Sequence, residues 1–329
     1  MKEVSMPVQA PGAVVMIRPH RFTPNPDTAA DNAFQVPATG DPEELARSAY
    51  LEVTRAAEVL ESAGVTVHLF DDEDATRPDS VFPNNWFSTH AGGRVALYPM
   101  YAASRRTERR PDIVEMLKSQ YRVQDVIDYS GLEYDNIFLE GTGAMVLDHL
   151  SRIAYTARSR RADPVMLERF CTAFGYEPMA FDAVDPSGTP VYHTNVLMCI
   201  ASGFVLIGLS MITDPARRAE VAERLAGRRG TRAVLELSPQ QIHDFAGNAI
   251  ELEGHEGRRL LALSTRAAAS LTDEQRDVIE QTCTLLPLDV PTIELAGGSV
   301  RCMLAGIHLD SRPQVDSASM VAPGAATVR

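Results

Sequence analysis

Chemistry concentrates in this chain around one cysteine, one histidine and two carboxylates. Cys302 lies in Leu295-Ala-Gly-Gly-Ser-Val-Arg-Cys-Met-Leu-Ala-Gly306. There two glycines and a serine lead an apolar, strand-like run that sets a thiol beside an arginine. Nearby positive charge stabilises a thiolate, and glycines let the backbone approach a bound molecule closely. In Asn136-Ile-Phe-Leu-Glu140-Gly-Thr-Gly143 a carboxylate ends an apolar strand and enters a glycine turn. Val191-Tyr-His193-Thr-Asn195-Val-Leu-Met-Cys-Ile200 places a histidine and an asparagine two residues apart on one side of a strand. Arg77-Pro-Asp79-Ser-Val-Phe-Pro-Asn84-Asn85-Trp86-Phe-Ser-Thr-His90 adds a second carboxylate, two amides and the only tryptophan. Taken singly, each has a structural explanation: a buried core cysteine, a surface ion pair at Glu140, a satisfied histidine, a turn-capping Asp79. Together, Cys302, His193 and Glu140 supply the nucleophile, proton shuttle and orienting carboxylate of thiol catalysis.

Positioning them falls to elements whose starts are legible. N-cap residues precede proline or acidic first-turn residues at Asp41-Pro-Glu-Glu, Asp163-Pro, Asp214-Pro, Ser238-Pro and Thr272-Asp-Glu, with Pro111-Asp-Ile a weaker case. Between them, residues 65–70, 94–98, 144–147, 204–208, 260–263 and 285–288 read as strands. The helix starts at 41, 111, 163, 214 and 272 recur every ~50 to 70 residues, which suggests about five copies of a strand-helix unit. No G-x-G-x-x-G follows a strand and no P-loop is present, so a ring of repeated units explains the rhythm better than a doubly wound sheet. Residues 311–329, rich in Ser, Ala, Pro and Gly, read as a poorly ordered tail.

With 329 residues and 45% hydrophobic content the chain can bury a large core. A net charge of −13 argues against a nucleic-acid groove or an anionic membrane surface and favours a small-molecule partner. Cys171, Cys199, Cys283 and Cys302 form no C-x-x-C pair, as expected of thiols in a reducing cytosol. The apolar stretch at 12–17 is too short for a signal segment or a membrane span, so a cytoplasmic location is expected. Eight histidines form no H-E-x-x-H or H-x-H cluster, so no metal or other cofactor is expected, and His149 beside Asp148 reads as a surface turn.

Five pieces, Asn25-Pro-Asp-Thr-Ala-Ala-Asp-Asn32-Ala-Phe, Val81-Phe-Pro-Asn-Asn-Trp86, Leu139-Glu-Gly-Thr-Gly143, Tyr192-His-Thr-Asn195 and Gly297-Gly-Ser-Val-Arg-Cys302, occur in this order across nearly the whole chain. In this the sequence resembles the guanidino-group-modifying superfamily, the penteins. That superfamily includes arginine deiminases, dimethylarginine dimethylaminohydrolases and amidinotransferases; the nearest type is the citrulline utilization hydrolase. The resemblance implies an α/β fold: a fivefold pseudosymmetric propeller of ββαβ units, one catalytic domain over residues 1–310, with the active site in the central channel. It makes Cys302 the nucleophile, His193 the general acid and base, and Glu140 the carboxylate that orients the substrate nitrogen and His193. Asp79 would hold the substrate's side-chain nitrogen. Arg105 and Arg161 match arginines that clamp the substrate carboxylate, although relatives usually carry threonine where Ala162 stands. Asn25 and Asn32 resemble a pair that holds the amino-acid end in arginine dihydrolases, where their spacing is one residue shorter. Asn248 resembles another recurring family segment, in which holding a turn is the expected task.

Arginine deiminases carry aspartates where this chain has Asn85 and Asn195. An asparagine offers an acceptor and two donors, which suits a ureido group better than a guanidinium, and a guanidinium buried without counter-carboxylates is costly. The expected reaction is therefore hydrolysis of citrulline to ornithine, ammonia and carbon dioxide through a covalent cysteine adduct. Arginine deimination or dihydrolysis, dimethylarginine hydrolysis and amidino transfer remain as alternatives. A non-catalytic binding protein of the ribosome anti-association kind would keep the ring but lack the Cys, His and Glu set. Assembly into a homo-oligomer is left open.

Overall fold

The computed structural model describes residues 8–227 and 230–313. Its strands form five three-stranded sheets of identical topology. In the second, β3 (Phe87–His90) runs antiparallel to β4 (Arg94–Leu97), the chain crosses through helix Pro111–Gln120, and β5 (Asp125–Asp128) returns parallel to β4. The same ββαβ path recurs three more times. It runs through β6 (Val146–Asp148), β7 (Ile153–Ala157) and β8 (Glu177–Phe181), then β9 (Met198–Ile200), β10 (Phe204–Ile207) and β11 (Ala233–Glu236), then β12 (Ile250–Glu253), β13 (Arg259–Ser264) and β14 (Thr284–Leu288).

The first sheet is completed from both ends of the chain. β1 (Ala13–Pro19) pairs in parallel with β2 (Thr66–Asp72) after helix Pro42–Ser62, and β15 (Ala305–Gly306) supplies its antiparallel neighbour, with Val14 opposite Gly306. Pairing of the last strand with the first fixes the turn that carries Cys302.

All six expected helix starts are present. Asp41, Asp163 and Asp214 accept hydrogen bonds from the second residue of their helices, and Ser238 and Thr272 form full capping boxes. Arg110, before the helix at Pro111, makes no side-chain cap. Helix Pro42–Ser62 buries Ala49, Val53, Ala56, Ala57 and Leu60, the i, i+4 stripe of an amphipathic helix, against Val14 and Met16 of β1. The alternate residues Val15 and Ile17 pack instead with Trp86, Phe87 and Val95 of the next unit. Each central strand is thus covered on both faces, which is why β7 and β10 are buried throughout.

Five expectations need correction. Residues 193–200 are not one strand: Thr194–Leu197 is a helical turn and the strand covers only Met198–Ile200. The cysteine run is likewise a helical turn, Val300–Met303, followed by the two-residue β15, and Ala144 closes a helical turn ahead of β6. Small and polar residues in these runs satisfy a one-turn helix that a hydrophobic count reads as strand. Asp148 and His149 are buried rather than a surface turn, with Asp148 paired to Arg232. Of the expected tail, Ser311 and Arg312 still bond to residues 118–121, and residues from 314 lie outside the described ones. Among the described residues no helix is long and apolar enough to cross a membrane.

Candidate active site

Every first strand of the five antiparallel pairs is preceded by a tight turn, and these five turns meet at the centre. They are Pro83–Asn85, Gly141–Ala144, Thr194–Leu197, the turn ending in Asn248, and Val300–Met303. Side chains tie each to the next: Thr142 Oγ1 donates to Asn84 O at 3.3 Å, Thr194 Oγ1 to Ala144 O at 2.5 Å, and Asn248 Nδ2 to Asn195 O at 3.0 Å. Arg301 N then donates to Asn248 Oδ1 at 3.0 Å. Gly143 is required by crowding, since a Cβ there would collide with the Asn85 carboxamide and lie 2.8 Å from His193 Nδ1.

Cys302 is buried and its Sγ accepts two amide N–H groups, from Asn195 Nδ2 at 3.1 Å and Asn248 Nδ2 at 3.3 Å. Two donors aimed at one sulfur suit a thiolate, which accepts both bonds. His193 Nε2 lies 2.9 Å from Glu140 Oε2. Burial alone would raise the Glu140 pKa, but Arg161, the His193 hydrogen bond and Arg105 outweigh it and hold this carboxyl well below the ordinary range. An ionised Glu140 can only accept, so Nε2 carries the imidazole proton and Nδ1 keeps the lone pair. Burial, helped by Arg161 and Arg105, lowers His193 to about 4 against the opposing pull of Glu140. His193 is therefore neutral at pH 7 and able to take a proton at Nδ1.

This has a measurable consequence. The acid limb of kcat/KM, which reports the free enzyme, is expected near pH 4 rather than at the usual histidine value, because His193 becomes protonated only as pH falls through about 4. A pH profile with its acid limb at 6 to 7 would contradict this assignment.

Around this core sits a network of buried charge. Arg105 reaches Glu140 at 3.5 Å and Asp79 at 3.6 Å, makes a double bond-pair with Glu108 (3.0 and 2.9 Å), and donates to the Asn85 carboxamide oxygen at 3.0 and 3.1 Å. Arg161 lies 3.6 Å from Glu140, donates through two nitrogens to Asp31, and stacks on the Tyr192 ring. Asn25 Nδ2 donates to Asp79 Oδ2 at 2.8 Å. Asn32 donates to Ala296 O at 3.1 Å and fits against Gly297, whose φ of +79° has no room for a Cβ.

Of the ten residues singled out from sequence, Asn32, Asp79, Asn85, Arg105, Arg161, His193 and Cys302 line one small cavity. Asn25, Glu140 and Asn195 stand directly behind lining residues. The placement of Arg105 differs from expectation: it is tied among Asp79, Glu108 and Glu140 instead of standing free for a substrate carboxylate. Three participants were missed. Glu108, three residues after Arg105, carried a legible i, i+3 signal. Asp31 stood unremarked beside Asn32, and Asn248, read as a turn residue, donates to the reactive sulfur as well.

The topology of five ββαβ units about a central thiol site is that of the pentein fold. Residues 18–309 match the family described as N,N dimethylarginine dimethylhydrolase, eukaryotic. The chain belongs to that family, and the protein is a hydrolase of carbon–nitrogen bonds other than peptide bonds. No curated protein matches the sequence. Among solved structures, the N-terminal domain of ArgZ, an arginine dihydrolase from cyanobacteria, superposes with a TM-score of 0.68 at 14% identity, covering 91% of this chain and 98% of that one. AgrE in complex with ornithine and NAD+ gives 0.70 at 16% identity over 94% of this chain but only 41% of that one. The dimethylarginine dimethylaminohydrolase of Pseudomonas aeruginosa, complexed with citrulline, gives 0.58 at 13% identity, covering 91% of this chain and all of that one.

Proposed function

We propose that the protein hydrolyses the ureido group of citrulline, releasing ornithine, ammonia and carbon dioxide through a covalent adduct on Cys302. The observation that carries this reading is the charge state of the groups that would meet the reacting carbon. Asn195 and Asn248, both neutral, flank Sγ, and Asn195 Oδ1 is buried with no partner, an acceptor left for a substrate N–H. Both carboxylates that could answer a guanidinium are already engaged, Glu140 by Arg105, Arg161 and His193, and Asp79 by Arg105 and Asn25. A neutral ureido group enters such a site without a counter-charge; a guanidinium would meet two fixed cations.

In this mechanism Cys302 Sγ attacks the ureido carbon, and its proton passes to His193 Nδ1. That proton moves to the δ-nitrogen as the carbon–nitrogen bond breaks and ornithine departs, leaving an S-carbamoyl enzyme. Neutral His193 then takes a proton from water as the hydroxide attacks the thioester carbon, and returns it to the leaving thiolate. Carbamate is released and decomposes to ammonia and carbon dioxide. Asp79 holds the δ-nitrogen side of the substrate. Arg161 takes the α-carboxylate in exchange for Asp31, while Asn25 and Asn32 shape the amino-acid end.

Family membership supports a second reading, hydrolysis of arginine or methylated arginine, with Asp79 and Glu140 facing the guanidinium. A substrate panel separates the two. Pure protein without added metal, given citrulline, arginine, dimethylarginine and agmatine, is expected to yield ornithine and ammonia from citrulline. Citrulline accumulating from arginine or dimethylarginine, with no ornithine from citrulline, would overturn the substrate while leaving the nucleophile in place.

A further inference from the structure

Arg161, a wall of the catalytic cavity, reaches in two directions. On one side Nη1 lies 3.6 Å from Glu140; on the other, Nε and Nη2 both donate to the carboxylate of Asp31, Nε at 3.2 Å. The guanidinium is buried and stacks on Tyr192, while the Asp31 side chain stays 18% exposed. Burial works against the Arg161 charge, and Glu140 together with Asp31 outweighs it and keeps the guanidinium protonated. Asp31 is thus a carboxylate supplied by the chain itself, seated on the two-pronged face that an incoming carboxylate would use.

The segment that carries Asp31 is pinned on both sides of it. Before it, Asn25 Nδ2 donates to Asp79 at 2.8 Å and Ser104 Oγ at 3.2 Å, and Thr28 Oγ1 donates to Asn25 O at 3.1 Å. After it, Asn32 Nδ2 donates to Ala296 O and Val36 N to Leu295 O, at 3.1 and 2.9 Å. Among the described residues the Asp31 carboxylate has no hydrogen-bond partner but Arg161, so turning one side chain opens the pair while the backbone stays in place. Charge decides what can open it. A ligand without a carboxylate would leave the buried Arg161 fork unpaired, which is strongly unfavourable. A carboxylate without an ammonium replaces Asp31 like for like and gains nothing from the exchange. A zwitterionic end gains twice: its carboxylate takes the fork and the released Asp31 takes its ammonium, two ion pairs where one stood.

We propose that Asp31 is a specificity-determining residue, a resident carboxylate that admits only ligands with a free α-amino-acid end: the α-carboxylate displaces it from Arg161, and the α-ammonium then pairs with it. This rests on the proposed function in one respect, that Arg161 is the seat of the α-carboxylate. It excludes decarboxylated and Nα-acylated ligands whatever group they present to Cys302.

The test uses three ligands that carry no ureido or guanidino group and differ only at the α-carbon: L-norvaline, pentanoate, which lacks the amino group, and butylamine, which lacks the carboxylate. Binding to the intact protein is read as protection of Cys302 from iodoacetamide, followed by peptide mass. Wild type is expected to be protected by norvaline at concentrations at least about thirtyfold lower than by pentanoate or butylamine. Asp31→Asn should bring norvaline and pentanoate within about threefold of each other, because pentanoate loses its competitor and norvaline loses its second ion pair. Arg161→Lys, which keeps the charge but not the fork, should weaken norvaline about tenfold, and it serves if Asp31→Asn does not fold. Equal protection by all three ligands, no protection by norvaline, or an unchanged norvaline-to-pentanoate ratio in Asp31→Asn would overturn the proposal. No probe carries a reacting group, so failure of citrulline in the substrate panel would leave these results untouched.

Discussion

Cys302→Ala is expected to fold as wild type does and to lose turnover of the proposed substrate by at least about 10⁴-fold, because no other thiol among the described residues lines the cavity. The sulfur is buried, but the change removes a single heavy atom held by two amide donors, so the stability cost should be no more than about 1 to 2 kcal/mol. Product analysis and a thermal melt on the same preparation measure both. The other cysteines make the comparison sharp. Burial pushes Cys171 and Cys199 up to about 12, and Cys283 is also raised by burial and by Glu251. Cys283 sits just after helix Asp273–Glu280 and its following turn. Thiols in that state are inert, and Cys199→Ser should keep turnover. If Cys199→Ser abolished turnover while Cys302→Ala kept it, the nucleophile would be misassigned.

Glu140→Gln should have the second largest effect, and it acts on stability as well as rate. Glu140 has no exposed surface and holds four partners: the Tyr101 N–H at 3.0 Å, His193 at 2.9 Å, and the guanidinium groups of Arg105 and Arg161 at 3.5 and 3.6 Å. An amide replaces an ionised acceptor with one that offers donors to three groups that also donate. Loss of the charge leaves two buried cations short of a counter-ion, an error that costs about 3 to 5 kcal/mol. Loss of the tautomer control on His193 lowers kcat by about 10²- to 10⁴-fold.

Acid should do reversibly part of what this substitution does. A carboxyl held below its ordinary pKa contributes stability that is fully present above the ordinary range and is lost as pH falls through the folded value. His193 works in the same direction at a higher window. Its folded value of about 4 lies below the model-peptide value, so the unfolded chain takes up a proton first and stability declines between about pH 6.5 and 4. In Glu140→Gln the carboxylate part of this acid dependence should vanish, which titration of Tm against pH would record. Wild-type and variant curves of the same shape below pH 4 would show that Glu140 does not carry it.

Much of this molecule was readable before any coordinates. The aspartate, serine and threonine caps announce helices because a side-chain oxygen satisfies a free backbone N–H wherever it sits, a local interaction that needs no tertiary partner. The spacing of those caps announced five units, and the polar clusters at Asp79 to Asn85, Glu140, His193 to Asn195 and Cys302 announced thiol chemistry. What sequence misjudged was the shape of the turns. Residues 194–197 and 300–303 are apolar enough to read as strand, yet each is a single helical turn, because the crossing point of five units leaves room only for tight backbone. The pairing of β15 with β1, across nearly the whole chain, is likewise invisible to any local rule. Only the tertiary structure could decide that Asn248 shares the sulfur with Asn195, that Asp31 and Glu108 engage the two arginines, and that Arg105 is bound among carboxylates. Those contacts join residues from different units, and burial, which sets the charge state of Glu140 and His193, is a property of the assembled centre rather than of any segment.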